Sequence, residues 1–295
     1  MRARAPGKVV LSGAYAVLEG APAIVAAVDR YAVADTDRAP GFVTPEVRAA
    51  LGDAPAPFVD ASALRSGDRK LGLGSSAAIL VATLGALEWN ASPEAALDAV
   101  RGRVFPRALA AHRAAQGGGS GIDVAASVYG GVLVAQRDPE GLAVEPTRLP
   151  RDVRVTVLAA RAPASTPELI ARVRAFAARD PGEYARRMGR QRAASERAAL
   201  AVRAGKGSEL VAALREQAKA LADLGEAAGA PIVTPEVDAL AEAAERVGGA
   251  ALPAGAGGGD VVLWVTLDSG SRAPAHPELD VLDLTLGAPG LEPLD

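Results

Sequence analysis

One segment narrows the folds open to this chain more than any other. Residues 75–88 (SSAAILVATLGALE) would form a helix that is apolar on nearly every side. A helix of this kind is stable only when other elements cover it all round. The sequence therefore predicts a buried helix that begins at Ser75 and lies inside its domain.

The segments around this helix predict an α+β fold. Strands are expected over the first 35 residues, over 131–136 and 154–160, and over 261–267 and 279–286 near the end of the chain. Three or four amphipathic helices are expected over 166–248. The N-terminal half thus predicts a mixed sheet with helices, and the C-terminal half a helix-rich lobe that closes with strands. We place the boundary near residue 150, which gives lobes 1–150 and 151–295.

Local signals refine the helix boundaries. The expected starts in the second half are Ser165–Thr166–Pro167, Pro181–Gly182, Gly207–Ser208 and Thr234–Pro235. In the first half, a helix is expected to begin at Pro93 with Ser92 as its N-cap, and another to end at Gln116. Residues 39–67 mix proline, glycine and apolar side chains, which indicates irregular structure.

Composition and charge exclude several classes of function. The chain of 295 residues carries a net charge of −3, which gives no long-range attraction to nucleic acid or to an anionic membrane. It has no cysteine and two histidines, which excludes disulfides, thiolate chemistry and a histidine-rich metal site. The first 20 residues are interrupted by Pro6, Lys8 and Gly13, so they match neither a signal peptide nor a membrane span. We expect a cytoplasmic enzyme.

Lysine is rare enough for its positions to carry information. The chain has four lysines (8, 70, 206 and 219) against 28 arginines. Lys8 and Lys70 stand beside glycine-rich segments, where a compact ammonium group can meet a phosphate oxygen. Chance placement is the alternative.

The segment Lys70-Leu-Gly-Leu-Gly-Ser-Ser-Ala-Ala78 leads directly into the buried helix. Glycines at 72 and 74 let the backbone turn and expose its N–H groups. The helix N-terminus beyond them carries unpaired donors and partial positive charge, so a di- or triphosphate can bind there. The spacing is not that of the Walker P-loop. The simpler interpretation is a capped helix start that binds nothing.

Two more glycine-rich loops follow. The first of them, Gln116–Ser120, leads to Asp123 at an expected helix start, where a carboxylate can either serve chemistry or only cap the helix. The second, Pro253–Asp260, can form an anion-binding nest or a tight helix-to-strand connection. Three such loops, two lysines and a loop aspartate together favour a cleft for phosphoryl transfer, which requires positioning, Mg²⁺ and positive charge.

These motifs resemble those of the GHMP kinases. Ala5-Pro-Gly-Lys8, Gly72–Ala78 and Gly255–Gly258 match the three family motifs in order and spacing, over residues 6–265. Within the family the likeness is greatest to the phosphomevalonate kinases, through Lys70 and the run from Ala111-His112 to Tyr129. The resemblance implies an α+β, two-lobed fold with a ferredoxin-like C-terminal lobe. It also implies transfer of a phosphoryl group from ATP, with Mg²⁺, to a small phosphorylated acid, and phosphomevalonate is the expected acceptor.

The resemblance also assigns residues. Asp123 would be the base or orienter for the acceptor, with Lys8 as the cation beside it. ATP would be held by Lys70, Gly72, Leu73, Gly74, Ser75, Ser76 and Ala77, and Ser76 would bind Mg²⁺. The acceptor would be surrounded by Tyr15, Ser120, Gly121, Arg161, Ser165, Gly255, Ala256 and Gly257. The expected partner is a small anionic substrate; no nucleic acid or membrane is expected, and a homodimer is left open.

Several positions depart from the family pattern. Leu252 and Ala254 stand where relatives have lysine and serine, Ala14 replaces a glutamate, and Arg161 begins a run that replaces a Gly-Lys-Ser-like one. Mevalonate kinases carry a Mg²⁺-binding glutamate 11 positions before the catalytic aspartate, where this chain has His112. The alternatives are a GHMP kinase for mevalonate or another small alcohol, and a catalytically weak relative that binds a ligand.

Overall fold

The computed structural model describes residues 1–67, 69–139, 141–160, 166–268 and 272–294. Its strands are β1 (Arg2–Ser12), β2 (Ala23–Asp35), β3 (Phe58–Asp60), β4 (Arg65–Ser66), β5 (Arg69–Lys70), β6 (Val132–Asp138), β7 (Gly141–Thr147), β8 (Val153–Ala160), β9 (Ala250–Pro253), β10 (Val261–Leu267), β11 (Leu279–Leu282) and β12 (Glu292–Leu294). Its helices are α1 (Pro45–Leu51), α2 (Ser75–Ala91), α3 (Leu97–Gln116), α4 (Ile122–Tyr129), α5 (Thr166–Arg179), α6 (Pro181–Arg203), α7 (Gly207–Ala228) and α8 (Pro235–Arg246). Short 3₁₀ helices span Ala16–Glu19 and Ser62–Leu64.

The first lobe is built on a sheet with strand order β12-β1-β2-β6-β7, to which β3 adds by pairing with β2. Helices α2 and α4 pack on β1 and β2, and α1 and α3 pack against α2. Ala77, Leu80 and Leu84 of α2 are fully buried, which confirms the predicted buried helix. No helix in the described part of the chain is both long and apolar enough to cross a membrane.

The second lobe is a four-stranded antiparallel sheet with the order β11-β8-β10-β9. Counted along the chain this is the order 4-1-3-2 of a ferredoxin-like sheet. Helices α5 to α8 all lie between its first and second strands, β8 and β9. The α+β fold class is therefore confirmed.

The boundary near residue 150 stays a prediction, because the division of the chain is not a simple cut. Strand β12 returns to the first lobe and pairs antiparallel with β1, with Arg2 opposite Leu294. Val28 and Leu286 also form an isolated antiparallel bridge.

Several local predictions were wrong. Residues 39–67 contain α1, which Thr44 caps by accepting the N–H of Val47 at 3.2 Å. Pro93 does not begin a helix, because Ser92 ends α2 and the next residues form a turn in which the N–H of Ala95 bonds the carbonyl of Ser92. One helix, α3, then runs through Pro106 to Gln116, in place of the two that were expected.

Candidate active site

A cleft of about 1390 Å³ lies between the lobes. This volume exceeds the usual range for a single small-molecule site, so the cleft has room for a nucleotide together with a second substrate. Its walls are formed by Lys8, Leu18, Arg69, Lys70, Gly72, Gly74, Ser75, Ser76, Ala115, Gln116, Gly118, Gly119, Asp123, Ile170, Ala171, Arg174 and Asp260.

The first glycine loop forms one wall of the cleft and starts α2. Gly74 is the N-cap with φ +73°, a left-handed conformation that favours glycine, and no side chain caps the helix. The N–H groups of the first turn therefore remain available to an anion. A Cβ atom at position 74 would lie 2.9 Å from Cε of Lys8, so a larger residue would have to displace the lysine side chain.

Lys8 is fixed to that loop by its backbone. Its N–H donates to the carbonyl of Leu73 at 2.8 Å, and its Nζ atom lies 3.5 Å from the carbonyl oxygen of Gly72. Burial lowers the pKa of the Lys8 ammonium below its ordinary value, although the charges of Asp123 and Asp260 act in the opposite direction. The lysine is thus a preorganised cation between the loop and the two carboxylates.

Asp123 lies in the first turn of α4, directly after the second glycine loop. Its Oδ1 atom accepts the N–H of Val124 at 3.0 Å, and its Oδ2 atom lies 3.2 Å from Nε2 of His112. Burial raises the pKa of the Asp123 carboxyl, but contact with His112, the charge of Lys8 and the Val124 N–H together hold this pKa below its ordinary value. The carboxylate is therefore fixed and ionised, which makes it a good orienting group and a weak base.

Three side chains around the start of α2 fit a magnesium ion that is bound mainly by nucleotide phosphates. Ser76 lines the cleft, and its Oγ atom lies 3.4 Å from Nε2 of Gln116. The same nitrogen donates to Oε1 of the buried Glu46 at 3.2 Å, so the Gln116 amide nitrogen contacts both the Ser76 hydroxyl and the Glu46 carboxylate, which are oxygen groups of the kind that Mg²⁺ prefers. The described residues contain no group of three or more His, Cys, Asp or Glu side chains that could hold a metal on their own.

Tyr15 connects the two lobes. Its hydroxyl donates to the carbonyl of Ala256 in the third glycine loop at 2.6 Å, and burial raises the pKa of this phenol. Tyr15 is the one non-glycine residue in the described ranges with a positive φ (60°), in a γ-turn closed by the N–H of Ala16 and the carbonyl of Ala14. Such strain persists only where the surrounding structure enforces it.

The cleft brings together part of the predicted site. Lys8, Lys70, Gly72, Gly74, Ser75, Ser76 and Asp123 line it. Leu73 and Ala77 are buried below it, and Tyr15, Ser120, Gly121, Gly255, Ala256 and Gly257 lie outside its lining. Arg161 and Ser165 lie outside the described residues.

The sequence interpretation missed three charged residues of the lining: Arg69, Arg174 and Asp260. Arg174 is exposed on α5 and makes no ion pair with any described residue, whereas Arg172 on the same helix pairs with Glu168. Ile170, Ala171 and Arg174 share one helix face by their spacing, which is the signal that could have identified this wall. Four cations and two carboxylates therefore line the cleft of a chain whose net charge is −3.

The chain is similar to known kinases in both sequence and fold. Residues 51–131 match the family model "GHMP kinases N terminal domain". The chain is 28% identical to the phosphomevalonate kinase of Streptomyces sp. (strain CL190), over 92% of this chain and 91% of that protein. It is 30% identical to the mevalonate kinase of Archaeoglobus fulgidus, over 89% of this chain and 91% of that protein.

A solved structure of Streptococcus pneumoniae phosphomevalonate kinase, in complex with phosphomevalonate and AMPPNP, has the same fold. It superposes with a TM-score of 0.74 at 19% identity, over 91% of this chain and 93% of that one. The fold, the three glycine loops and the near full-length match to the Archaeoglobus enzyme agree. The chain belongs to the GHMP kinases, a family of ATP-dependent small-molecule kinases.

Proposed function

We propose that this protein transfers the γ-phosphoryl group of ATP to the phosphate of a small phosphorylated acid, and that the acid is phosphomevalonate. The chain's likeness to the Streptomyces phosphomevalonate kinase supports this acceptor. The same acceptor occurs, together with AMPPNP, in the Streptococcus structure that shares the fold.

One observation carries the proposal: Asp123 is held ionised by its contact with His112 and by Lys8. A hydroxyl acceptor must lose a proton during transfer, and a carboxylate with a lowered pKa is a poor acceptor for that proton. A phosphate monoester has a second pKa of about 6, so at neutral pH it already offers an ionised oxygen. The site is therefore better suited to a phosphate nucleophile than to an alcohol.

The chain's own groups suggest how transfer proceeds. The N-terminus of α2 and Lys70 hold the ATP phosphates, and Lys8 lies where negative charge accumulates between donor and acceptor. An oxygen of the acceptor phosphate attacks the γ-phosphorus as the bond from that phosphorus to the β–γ bridging oxygen breaks, which releases ADP. Mg²⁺ would neutralise phosphate charge in this step. Ser76 is the proposed protein ligand, and Gln116 and Glu46 lie beside it.

Mevalonate is the second candidate acceptor, because the relative with the higher identity is named a mevalonate kinase. His112 argues against it, since this position would have to supply the Mg²⁺-binding glutamate that the resemblance assigns to mevalonate kinases. A phosphorylated acceptor also explains the excess of cations in the cleft better than a single carboxylate does.

A coupled assay of ADP release tests the proposal. Purified protein with ATP and Mg²⁺ is given phosphomevalonate, mevalonate, homoserine or galactose in parallel. Phosphomevalonate should be preferred over mevalonate by a large factor, because mevalonate lacks the phosphate group and leaves cleft cations unpaired. Equal use of both acceptors would reject the acceptor and leave the family membership intact. ATP binding without turnover of any acceptor would favour a ligand-binding relative.

A further inference from the structure

His112 is buried on α3 beside Asp123 but takes no part in binding ATP in the mechanism above. Its side chain is 2% exposed, and its Nε2 atom lies 3.2 Å from Oδ2 of Asp123. The separation fits an ion pair, although the N–H does not point straight enough at the oxygen for a regular hydrogen bond. The Nδ1 atom has no hydrogen-bond partner among the described residues.

The charges that face His112 come from three elements. Asp123 approaches from α4, Glu46 from α1 and Lys8 from β1. Burial lowers the pKa of the imidazole, and Lys8 adds to this effect, but Asp123 and Glu46 outweigh both, so the pKa lies above its ordinary value. A histidine kept only for packing would need neither carboxylate.

We propose that His112 is a positioning residue that holds the Asp123 carboxylate in place and offsets its negative charge, so that the anionic phosphate of the acceptor can approach it. This role rests on the proposed function, because only a phosphorylated acceptor brings a second anionic phosphate, in addition to that of ATP, to Asp123. The contact fixes Oδ2, while the Val124 N–H fixes Oδ1. The carboxylate thus has one orientation toward the cleft.

The negative charge of Asp123 is an obstacle to an anionic acceptor. A carboxylate repels a phosphate dianion, and Lys8 is one cation shared among Asp123, Asp260 and the reacting phosphates. A second cation on the buried side of Asp123 removes this repulsion without occupying the cleft, since His112 is not part of its lining. A glutamate at position 112 would instead add negative charge beside Asp123.

The first experiment observes the imidazole directly. The chain has two histidines, and His276 lies outside the cleft, where its Nδ1 atom accepts the N–H of Glu278. In ¹⁵N-labelled His276→Gln protein, every imidazole signal therefore comes from His112. We expect His112 to titrate above the ordinary histidine value of 6.5, and to titrate at lower pH once Asp123→Asn is added. Identical titrations with and without Asp123→Asn would overturn the inference, and this result does not depend on the acceptor.

The second experiment separates the two parts of the role by kinetics. His112→Gln keeps an N–H donor and loses the charge, so it should raise KM for phosphomevalonate roughly tenfold and leave KM for ATP within about threefold. His112→Asn is too short to reach Oδ2, so it should also lower kcat by about a hundredfold through misplacement of Asp123. His276→Gln is the matched control and should behave as wild type. Thermal denaturation checks that each variant is folded, and the NMR titration decides if His112→Asn is not.

The results of these experiments test the role of His112 separately from the proposed kinase activity. If the wild-type protein phosphorylates phosphomevalonate, and both His112 variants have KM and kcat values within twofold of those of His276→Gln, the role of His112 is overturned and the proposed function stands. Wild-type turnover of mevalonate but not of phosphomevalonate overturns the proposed function, and the charge-offset role with it. A rise in acceptor KM in His112→Gln, joined by a fall in kcat in His112→Asn, supports both parts.

Discussion

The two walls of the cleft are built differently. On the N-terminal lobe, Lys8, Ser76 and Asp123 each have their place set by contacts to neighbouring groups. On the C-terminal lobe, Arg174 extends from an exposed helix face without an ion pair among the described residues. The third glycine loop, in that same lobe, lines little of the cleft.

The difference between the two glycine loops shows that glycine content alone does not predict ligand contact. The loop before α2 leaves its helix uncapped. In the third loop, the N–H of Gly258 bonds the carbonyl of Ile232, and the carbonyl of Ala256 accepts the Tyr15 hydroxyl. A Cβ at Gly257 would lie 2.3 Å from that same Ile232 oxygen. One loop is open to a ligand, and the other joins parts of the protein.

The largest expected effect lies on the N-terminal wall, at Asp123. Asp123→Asn should lower kcat by about a hundredfold, because the reacting groups lose the fixed carboxylate that orients them, while ATP affinity stays within a few-fold. Single-turnover kinetics and nucleotide titration measure the two quantities. Near-normal turnover would mean that Asp123 only caps α4, and the contrast between the walls would lose its main support.

The next effect tests the open glycine loop. Gly74→Val should weaken ATP binding by roughly 10–100-fold, because the side chain strains a positive φ and displaces Lys8. Gly52→Val is the matched control, since Gly52 also has a positive φ (59°) but a Cβ there meets nothing within 4 Å. If both folded variants bind ATP equally well by calorimetry, the nucleotide site lies elsewhere.

A smaller effect is expected on the C-terminal wall. Arg174→Ala should raise KM for the phosphorylated acceptor by about two- to fivefold and leave that for ATP unchanged, because an exposed charge interacts weakly through water. Arg172→Ala on the same helix removes an arginine that pairs with Glu168, and provides the control. Steady-state kinetics at low salt should reveal the difference. An equal change in both variants would remove Arg174 from the site.

The smallest catalytic effect is expected at the contact between the lobes. Tyr15→Phe removes the hydrogen bond to Ala256 and should lower the free energy of unfolding by about 0.5–1.5 kcal/mol, with kinetic constants changed less than about twofold. Tyr184→Phe removes an exposed bond to Glu19 and should cost less. Denaturant unfolding measures both. A large loss of activity in Tyr15→Phe would show that the third loop acts on the substrate directly.

Periodicity and capping signals in the sequence predicted most of the fold. The buried helix at Ser75 and the starts of α5 to α8 were confirmed, because apolar spacing and proline caps act locally. Helix α1 was missed although Thr44-Pro-Glu repeats the signature of Thr234-Pro-Glu, which was recognised. That omission hid Glu46 from the site prediction.

The lining of the candidate cleft was anticipated where motifs are local and missed where the chain must fold to assemble it. Lys8, Ser76 and Asp123 stand beside glycine loops, which marked them as candidates, and all three line the cleft. The approach of His112 to Asp123 and of Arg174 to the opposite wall depends on how helices pack, which no short motif encodes. Strand β12 was missed for the same reason, since its partner β1 lies at the opposite end of the sequence.

The return of the chain to β1 has a consequence for the order of folding. Leu291 is fully buried, and a Cβ on Gly85 of α2 would lie 2.4 Å from its side chain. Because β12 and Leu291 follow the second lobe in the sequence, the sheet and core of the N-terminal lobe can be completed only after the entire second lobe has been synthesised. A fragment that stops at residue 150 would expose an unpaired edge of β1 and a hole beside α2, which invites aggregation. The N-terminal wall and the C-terminal wall of the cleft are thus expected to form together, late in folding.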